Sequence, residues 1–338
     1  KFYNLITYAN LVLATKKIDN KFVKIILLIL CLVVRYPLFL FSIGYFFLKI
    51  RNEKANVFVC NNGGYPGGDC CRSSTISAYL TCKLKVFHII HSMANPPPLI
   101  LLPFEWFIDR LIDNGSKIIT VSNSTAKRLK AVRFIRQDVE VIYNGLPDIK
   151  QPNSHFYSEI LDVLSVGYFD KNKNQAMLIK ALAELVSRGY SDIRITFIGS
   201  DAGKLRSCEK LSQNLGVSHL ISFEGFKDDV EYFYNKADIL IHCSYVEGLP
   251  LAILEAMRAG IPVISTGVGG VLEIIDSGMT GFIVNVNDHI DLADKIAFFM
   301  KNRTEIKKYG LAGRKKYKKS FSSATMIDSY NKILGLYL

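Results

Sequence analysis

Residues 239–265 read ILIHCSYVEGLPLAILEAMRAGIPVIS, and this stretch determines the predicted fold. The apolar run Ile239–His242 predicts a short buried strand, and a polar loop follows it. Leu251–Ala259 predicts a strongly apolar helix, and Pro262–Ser265 predicts the next strand. A strand, a helix and a strand in this order are typical of a parallel sheet.

The same alternation extends outward over both halves of the chain. The polar stretch Pro147–Ile160 between the halves predicts a linker. We therefore expect an α/β fold with two doubly wound, Rossmann-like domains that face a cleft, residues 1–150 and 151–318. Residues 319–338 predict a terminal helix that packs back towards the first domain. The other predicted strands are Ala55–Cys60, Val86–Ile90, Lys117–Val121, Val139–Tyr143, Leu161–Val166, Arg194–Ile198, Ile221–Phe223 and Gly281–Val284.

Two carboxylates eight positions apart mark the candidate chemistry. Glu247 lies in the loop after a predicted strand, and Glu255 lies inside the helix that follows. Gly248 permits close approach of a ligand to the backbone, and Pro250 suits the first helical position. The exposed N–H groups of such a helix start favour a diphosphate. Glu255 needs hydrogen-bond donors, which a ribose diol or an ion pair with Arg258 supplies.

Composition excludes several classes of protein. The 338 residues carry 42 Lys and Arg against 30 Asp and Glu, a net charge of +12, and 49% are hydrophobic. Such an apolar chain is not disordered, and no nucleic-acid-binding motif accompanies the positive charge. The seven cysteines show no zinc-binding spacing, which favours small buried side chains and a reducing, cytoplasmic compartment.

The segment Ile25–Leu48 is the most apolar part of the sequence, with Arg35 as its one charge. Three interpretations remain open: a buried or groove-lining helix, a helix in the membrane interface, and a transmembrane span. Pro37 predicts that a helix ends or kinks near Arg35.

The combination of motifs resembles the family 4 glycosyltransferases, which are retaining enzymes of the GT-B fold. The similarity covers most of the chain and includes the Glu-x7-Glu stretch, Gly260–Ile264 and Gly269-Gly270. The family signature continues in Ser165-Val166-Gly167 and Lys173-Asn174, Ile119–Ser124, Ile142–Gly145, Glu273 and Thr280-Gly281.

The resemblance implies roles for particular residues. Glu247 contacts the transferred sugar, Glu255 holds the ribose, and Lys173 neutralises the departing diphosphate. His91, at a predicted strand end, matches a position that contacts the donor sugar, whereas His88 and His242 are interpreted as structural. The remaining residues assigned to substrate binding are Gly248, Leu249, Pro250, Gly167, Asn174 and Gly64.

The loop that contains Gly64 has two interpretations. Residues 61–69 carry two Gly-Gly pairs around Tyr65-Pro66, which suits a phosphate or acceptor site and equally a tight multi-turn connection.

Two departures from the family pattern stand out. Tyr168 occupies the position where the family usually has Arg, which removes one guanidinium from the diphosphate site. We also find no opening strand with its Gly-rich turn, and we expect it to precede Lys1 or to be missing from an abbreviated domain. The sequence contains no Asp-x-Asp, so we expect transfer without a metal or cofactor.

The resemblance implies a hexosyltransferase that uses a nucleotide-diphosphate sugar, UDP more than GDP, and a lipid-linked saccharide acceptor. We expect a role in O-antigen or capsule synthesis, on the cytoplasmic face of the inner membrane, where the positive charge and the apolar helix favour anionic lipid. The alternatives are a non-catalytic partner of another transferase and a nucleotide-sugar epimerase of similar fold.

Overall fold

The structure is a computed structural model that describes residues 21–149 and 159–335, apart from the side chains of residues 21, 22 and 24–33. Most of the predicted linker, residues 147–160, lies outside the described residues. Contacts divide the chain between Ile142 and Tyr143 into two compact units, which we call unit 1 and unit 2.

Unit 1 contains a parallel sheet in the order β1-β2-β3-β4. Its fourth strand has two residues, Glu140–Val141, whereas the sequence predicted Val139–Tyr143. The strand is short because it pairs only with the last residues of its neighbour, Ile119 and Thr120. The elements in chain order are α1 (Lys21–Ile50), β1 (Val57–Asn62), α2 (Asp69–Leu80), β2 (Lys85–Ile90), α3 (Leu102–Gly115), β3 (Lys117–Thr120), α4 (Asn123–Val132) and β4 (Glu140–Val141).

Of the two outcomes predicted at Pro37, an end of the helix near Arg35 is wrong, because α1 continues through Pro37 to Ile50, and a kink stays a prediction. A proline inside a helix removes one backbone hydrogen bond. Tertiary contacts on both sides of it offset that loss. Arg35 forms an ion pair with Asp69 at 3.2 Å, and Phe39 is buried in the core of unit 1.

The outward face of α1 is apolar where its side chains are described. Leu40 and Phe41 are each 67% exposed, and Val34 and Leu48 are exposed as well. The ring of Tyr36 stacks on Phe104 of α3 with centroids 4.4 Å apart. Within the described part of the chain, no helix has the length and apolar character that crossing a membrane requires.

A buried cluster of charged side chains joins α2 and α3 to the end of α4. Arg72 Nη1 lies 2.7 Å from Glu105 Oε2, and both side chains are 1% exposed. Arg133 pairs with the same Glu105 and, at 2.8 Å, with Asp109. The hydroxyl of buried Tyr65 donates to Asp109 at 2.8 Å. These contacts fix the loop after β1 to the helical layer of unit 1.

Unit 2 contains a parallel sheet in the order β10-β9-β8-β5-β6-β7, the doubly wound arrangement that the sequence predicted. Because its strands are parallel, their carboxyl ends share one edge, and the candidate site lies there. The elements are β5 (Leu161–Val166), α5 (Gln175–Ser187), β6 (Ile193–Ile198), α6 (Leu205–Asn214), β7 (Ile221–Phe223), α7 (Glu231–Lys236), β8 (Ile239–His242), α8 (Leu251–Ala259), β9 (Val263–Thr266), α9 (Val271–Ile274), β10 (Gly281–Val284), α10 (His289–Lys301), α11 (Arg303–Ser320) and α12 (Ser323–Leu334).

Candidate active site

The loop between β8 and α8 carries the first predicted carboxylate. Pro250 is the N-cap of α8, and the helix begins at Leu251, so the prediction that proline is the first helical residue is wrong by one position. Proline has no side-chain acceptor, so no N-cap side chain pairs with the first-turn N–H groups of α8, and a helix start of this kind suits an anion. Gly248 and buried Leu249 connect Glu247 to this helix start.

Glu247 and Lys173, which the sequence assigned to the site separately, form an ion pair. Lys173 Nζ donates to Glu247 Oε1 at 2.7 Å, and His242 Nε2 lies 3.0 Å from the same oxygen. The Glu247 side chain is 12% exposed. Burial raises the pKa of this carboxyl, but the hydrogen bond from His242 and the charges of His242 and Lys173 outweigh burial and lower it to about 2. Glu247 is therefore a charged carboxylate at neutral pH.

Close backbone packing positions Lys173. A Cβ atom on Gly167 would lie 3.3 Å from the Lys173 side chain, and Gly167 has a φ of +152°, so a larger residue there would displace the lysine and strain the backbone. The backbone N–H of Lys173 donates to Asp170 Oδ1 at 2.8 Å. Tyr168, which replaces the family's Arg, is 61% exposed beside this turn.

Asn172 joins the loop that carries Lys173 to the loop that carries Glu247. Its side-chain amide accepts from the N–H of Val246 and donates to the carbonyl of Val246, each at 3.0 Å. The backbone carbonyl of Asn172 accepts from the backbone N–H of Tyr245 at 2.8 Å. Asn174 has a φ of +48° and is the N-cap of α5, which turns the chain into that helix directly after Lys173.

Glu255, the second carboxylate of the motif, lies half-buried in α8. Tyr234 is 2% exposed, and its hydroxyl donates to Glu255 Oε2 at 2.8 Å. Burial and the neighbouring Glu255 raise the pKa of Tyr234, so its proton stays on the hydroxyl. Arg258, the alternative partner of Glu255, instead lies 3.7 Å from Glu231. The described contacts therefore leave Glu255 as a hydrogen-bond acceptor with a fixed orientation.

In unit 1, His91 follows β2 and Gly64 follows β1, at the carboxyl edge of neighbouring parallel strands. His91 Nε2 contacts Asn61 Oδ1, and the backbone N–H of His91 donates to Asn62 at 3.1 Å. Buried His88 contacts the side chains of Asn62 and Thr75, as expected for a structural histidine. Burial, with a smaller effect of the Arg72 charge, lowers its pKa to about 3.

The loop after β1 is tightly folded. A Cβ on Gly67, which has a φ of +62°, would lie 2.0 Å from Asn62 Oδ1. The backbone N–H of Asn95 donates to Tyr65 at 2.8 Å. These contacts agree with a tight multi-turn connection, and a ligand site at Gly64 stays a prediction.

Sequence reasoning missed three residues of the site: His242, Tyr234 and Asn172. The signal for His242 was its position at the end of a predicted strand, five residues before Glu247, although it was interpreted as structural. No local sequence pattern predicted Tyr234 or Asn172, because their contacts join segments that are far apart in the chain. Among the described side chains, no group of three His, Cys, Asp or Glu residues has a geometry suited to a metal ion.

Comparison with known families agrees with these motifs. Residues 148–316 match the family model "Glycosyl transferases group 1", and residues 17–148 match "Glycosyltransferase Family 4". The chain spans 60%, 43% and 61% of the lengths of the three curated relatives that it matches first.

Two relatives and one solved structure are informative. The putative colanic acid biosynthesis glycosyltransferase WcaL of Salmonella typhimurium is 27% identical over 261 residues, which cover 72% of this chain and 61% of WcaL. A Campylobacter jejuni enzyme named GalNAc-alpha-(1->4)-GalNAc-alpha-(1->3)-diNAcBac-PP-undecaprenol alpha-1,4-N-acetyl-D-galactosaminyltransferase is 30% identical over 185 residues, 54% of this chain and 50% of that enzyme. The structure of Anabaena HepE in complex with UDP has a TM-score of 0.70 at 17% identity, covering 89% of this chain and 82% of HepE. Its similarity shows the GT-B fold.

Proposed function

Because the chain belongs to the group 1 glycosyltransferases, with family 4 motifs in its first half, we propose that it transfers a sugar from a nucleotide-diphosphate donor to a saccharide hydroxyl. The contact between Lys173 and Glu247 beside the start of α8 is the observation that carries this proposal. It combines a cation, a carboxylate and a helix start without a side-chain cap at one edge of a parallel sheet, where such folds bind nucleotides.

In the proposed reaction, the bond between the sugar C1 and the diphosphate breaks while the acceptor oxygen bonds to C1 on the same face. The departing diphosphate leaves with the electron pair of the broken bond, and its oxygen takes up the proton that the acceptor hydroxyl loses as the new bond forms. Lys173 and the N–H groups at the start of α8 stabilise the negative charge that develops on the departing diphosphate. Glu247 orients hydroxyls of the transferred sugar, and Glu255 accepts from the ribose. For unit 1 the proposal assigns contact with the sugar to His91.

The donor and acceptor in this proposal take their support from the relatives. HepE was solved with UDP, which favours UDP over GDP. The name of the Campylobacter relative specifies an undecaprenol-diphosphate acceptor, and WcaL is named for colanic acid biosynthesis. We therefore propose a hexose donor carried on UDP, a lipid-linked saccharide acceptor and a place in bacterial surface polysaccharide synthesis.

We also propose that unit 1 binds the surface of an anionic membrane. Two observations support it: the exposed apolar face of α1, with Leu40 and Phe41, and the basic residues that follow this face, Lys49 and Arg51. Apolar insertion and attraction to anionic lipid together provide the two interactions that stable peripheral binding needs. Binding to the cytoplasmic face of the inner membrane would bring the enzyme to a lipid-linked acceptor.

Metal independence is part of the proposal, since Lys173 and the α8 N-terminus supply the positive charge that a metal supplies in Asp-x-Asp enzymes. Transfer in excess EDTA, compared with transfer after added Mg²⁺ or Mn²⁺, tests this. A loss of turnover with EDTA that Mg²⁺ or Mn²⁺ restores would contradict it.

A thermal-shift panel of UDP- and GDP-sugars tests the central proposal. A true donor at 100 times its Kd stabilises the folded chain by about 2.7 kcal/mol. The matching donor should then yield a product whose anomeric configuration, read by NMR, equals that of the donor. If no nucleotide or nucleotide sugar shifts the unfolding transition, the transferase proposal fails. The alternative is then a non-catalytic partner of another transferase, which is favoured by Tyr168 in the position where the family usually has Arg.

A further inference from the structure

His242 contacts the candidate active site directly. It is the last residue of β8, it is 3% exposed, and its Nε2 lies 3.0 Å from Glu247 Oε1. The same carboxylate oxygen accepts from Lys173 at 2.7 Å. Among the described residues, His242 and Lys173 are the charged or titratable side chains recorded in contact with Glu247.

The contact determines where the imidazole carries its proton. A carboxylate oxygen only accepts hydrogen bonds, so Nε2 must carry hydrogen if it is to face Glu247 at 3.0 Å without repulsion between lone pairs. Ser244 Oγ lies 3.0 Å from the same nitrogen and shares that hydrogen as a second acceptor. Both His242 and Ser244 are buried, so water does not compete freely for this donor.

The two partners of Glu247, Lys173 and His242, differ in their surroundings. Lys173 extends from a turn at the sheet edge, and a diphosphate there would attract its ammonium away from the carboxylate. His242 is buried in β8, and among the described side chains Glu247 is the carboxylate that it contacts. A buried carboxylate that lost both partners would be an unpaired charge, which is strongly unfavourable.

We propose that His242 is a positioning residue that keeps the Glu247 carboxylate ionised and oriented towards the sugar while Lys173 binds the phosphates of the donor. The role of His242 in catalysis rests on the proposed glycosyl transfer. The contact between His242 and Glu247 does not depend on a substrate. Glu247 thus has one partner that is free to move and one that stays in place.

The first experiment needs no substrate. In protein labelled with ¹³C at the glutamate carboxyl carbons, Glu247 is assigned by comparison with Glu247→Gln and titrated between pH 7 and the onset of acid unfolding. We expect wild-type Glu247 to stay ionised over this range. In His242→Leu we expect the carboxyl to become protonated within this range, at a pH at least one unit higher than in wild type. In His242→Gln, whose amide reaches a similar position, we expect it to stay ionised as in wild type. Equal titration in all three proteins would overturn the inference.

The second experiment separates positioning from a merely structural effect. UDP binding is measured by calorimetry, and hydrolysis of UDP-glucose, UDP-galactose and UDP-N-acetylglucosamine without acceptor is measured across pH. We expect His242→Leu to lower kcat roughly 10- to 100-fold, the effect of losing a hydrogen bond to a charged group, with less than about threefold change in UDP Kd. The acid limb of kcat should move to higher pH, and His242→Gln should recover most of the rate.

Ile241→Val is the matched control, because Ile241 is also buried in β8 but belongs to the core of unit 2. It should reduce stability and leave kcat and its pH profile unchanged. If His242→Leu does not fold, His242→Asn replaces it, since the shorter amide does not reach Glu247. A wild-type chain that neither binds UDP nor hydrolyses the sugars refutes the proposed function, while the carboxyl titration still decides the role of His242.

Discussion

Lys173 Nζ and Glu247 Oε1 lie 2.7 Å apart, although 74 residues separate them in the chain. Each residue follows a different strand of the unit 2 sheet, Lys173 after β5 and Glu247 after β8, and these strands are direct neighbours. The pair therefore forms because the two strands are parallel and end at the same edge. It brings the cation and the carboxylate of the proposed reaction into one small volume.

Replacing the lysine should affect the rate more than binding. Lys173→Ala removes positive charge that stabilises the leaving diphosphate, so we expect kcat to fall about 10²- to 10³-fold with a smaller change in KM. Steady-state hydrolysis or transfer of the UDP-sugar found in the thermal-shift panel measures both. Lys180→Ala, on the exposed side of α5, is the control and should leave kcat unchanged. Unchanged turnover in Lys173→Ala would remove this residue from the mechanism.

Replacing the second carboxylate should affect binding more than the rate. Glu255→Ala removes an acceptor whose orientation Tyr234 fixes, so we expect the Kd of UDP to rise by roughly 10- to 100-fold. Isothermal calorimetry measures it directly. Glu184→Ala changes a glutamate of α5 that pairs with Arg188 at the surface, and it should bind UDP as the wild type does. The assignment of Glu255 to the ribose is wrong if both variants bind equally well.

The carboxylate of Glu247 should make the free energy of unfolding depend on pH in the acid range. Its pKa is about 2 when folded, against an ordinary value of 4.5, so the unfolded chain binds the proton more tightly. The ionised contacts therefore stabilise the fold fully above pH 4.5, and this contribution is lost as the pH falls from about 4.5 to 2. The difference corresponds to about 3 kcal/mol.

Urea unfolding at several pH values between 6 and 3 measures this dependence. The free energy of unfolding of wild type should fall more steeply below pH 4.5 than that of Glu247→Gln, which has no carboxyl to protonate there. Parallel curves for the two proteins would mean that the folded environment does not lower the pKa of Glu247.

The buried cluster in unit 1 should be sensitive to the loss of one charge. Arg72→Met leaves Glu105 buried with one cation fewer, so we expect a loss of about 3–5 kcal/mol in the free energy of unfolding. Lys117→Met breaks an ion pair with Glu140 in which both side chains are more than 40% exposed, and it should cost about 1 kcal/mol or less. Chemical denaturation compares them, and equal effects would contradict the role of burial.

The exposed face of α1 should determine membrane binding. Leu40 and Phe41 are mostly exposed, so Leu40→Asp with Phe41→Asp should leave the fold stable and reduce sedimentation with anionic vesicles at low salt severalfold. Leu311→Asp changes an exposed apolar residue of unit 2 and serves as the control. High salt should partly release the wild type. If the wild type stays in the supernatant with anionic vesicles, the membrane proposal is wrong and the transferase proposal is unaffected.

The sequence by itself determined the order of strands and helices in unit 2, with Leu161–Val166, Gln175–Ser187 and Leu251–Ala259 at their observed bounds. Local patterns suffice there, because a buried parallel strand is a short apolar run and an amphipathic helix repeats every 3.6 residues. The Glu-x7-Glu motif likewise predicted that Glu247 lies in the loop before a helix and that Glu255 lies inside that helix, as the structure has them.

Tertiary structure alone decided the partners of those carboxylates and the course of α1. Pro37 ends a helix by local rules, yet the ion pair of Arg35 and the burial of Phe39 keep α1 continuous, because contacts with distant residues outweigh one lost hydrogen bond. His242 lies beside Glu247, and Tyr234 beside Glu255, for a similar reason. A hydrogen bond of about 3 Å depends on how strands and helices pack in three dimensions, and no local sequence pattern contains that distance.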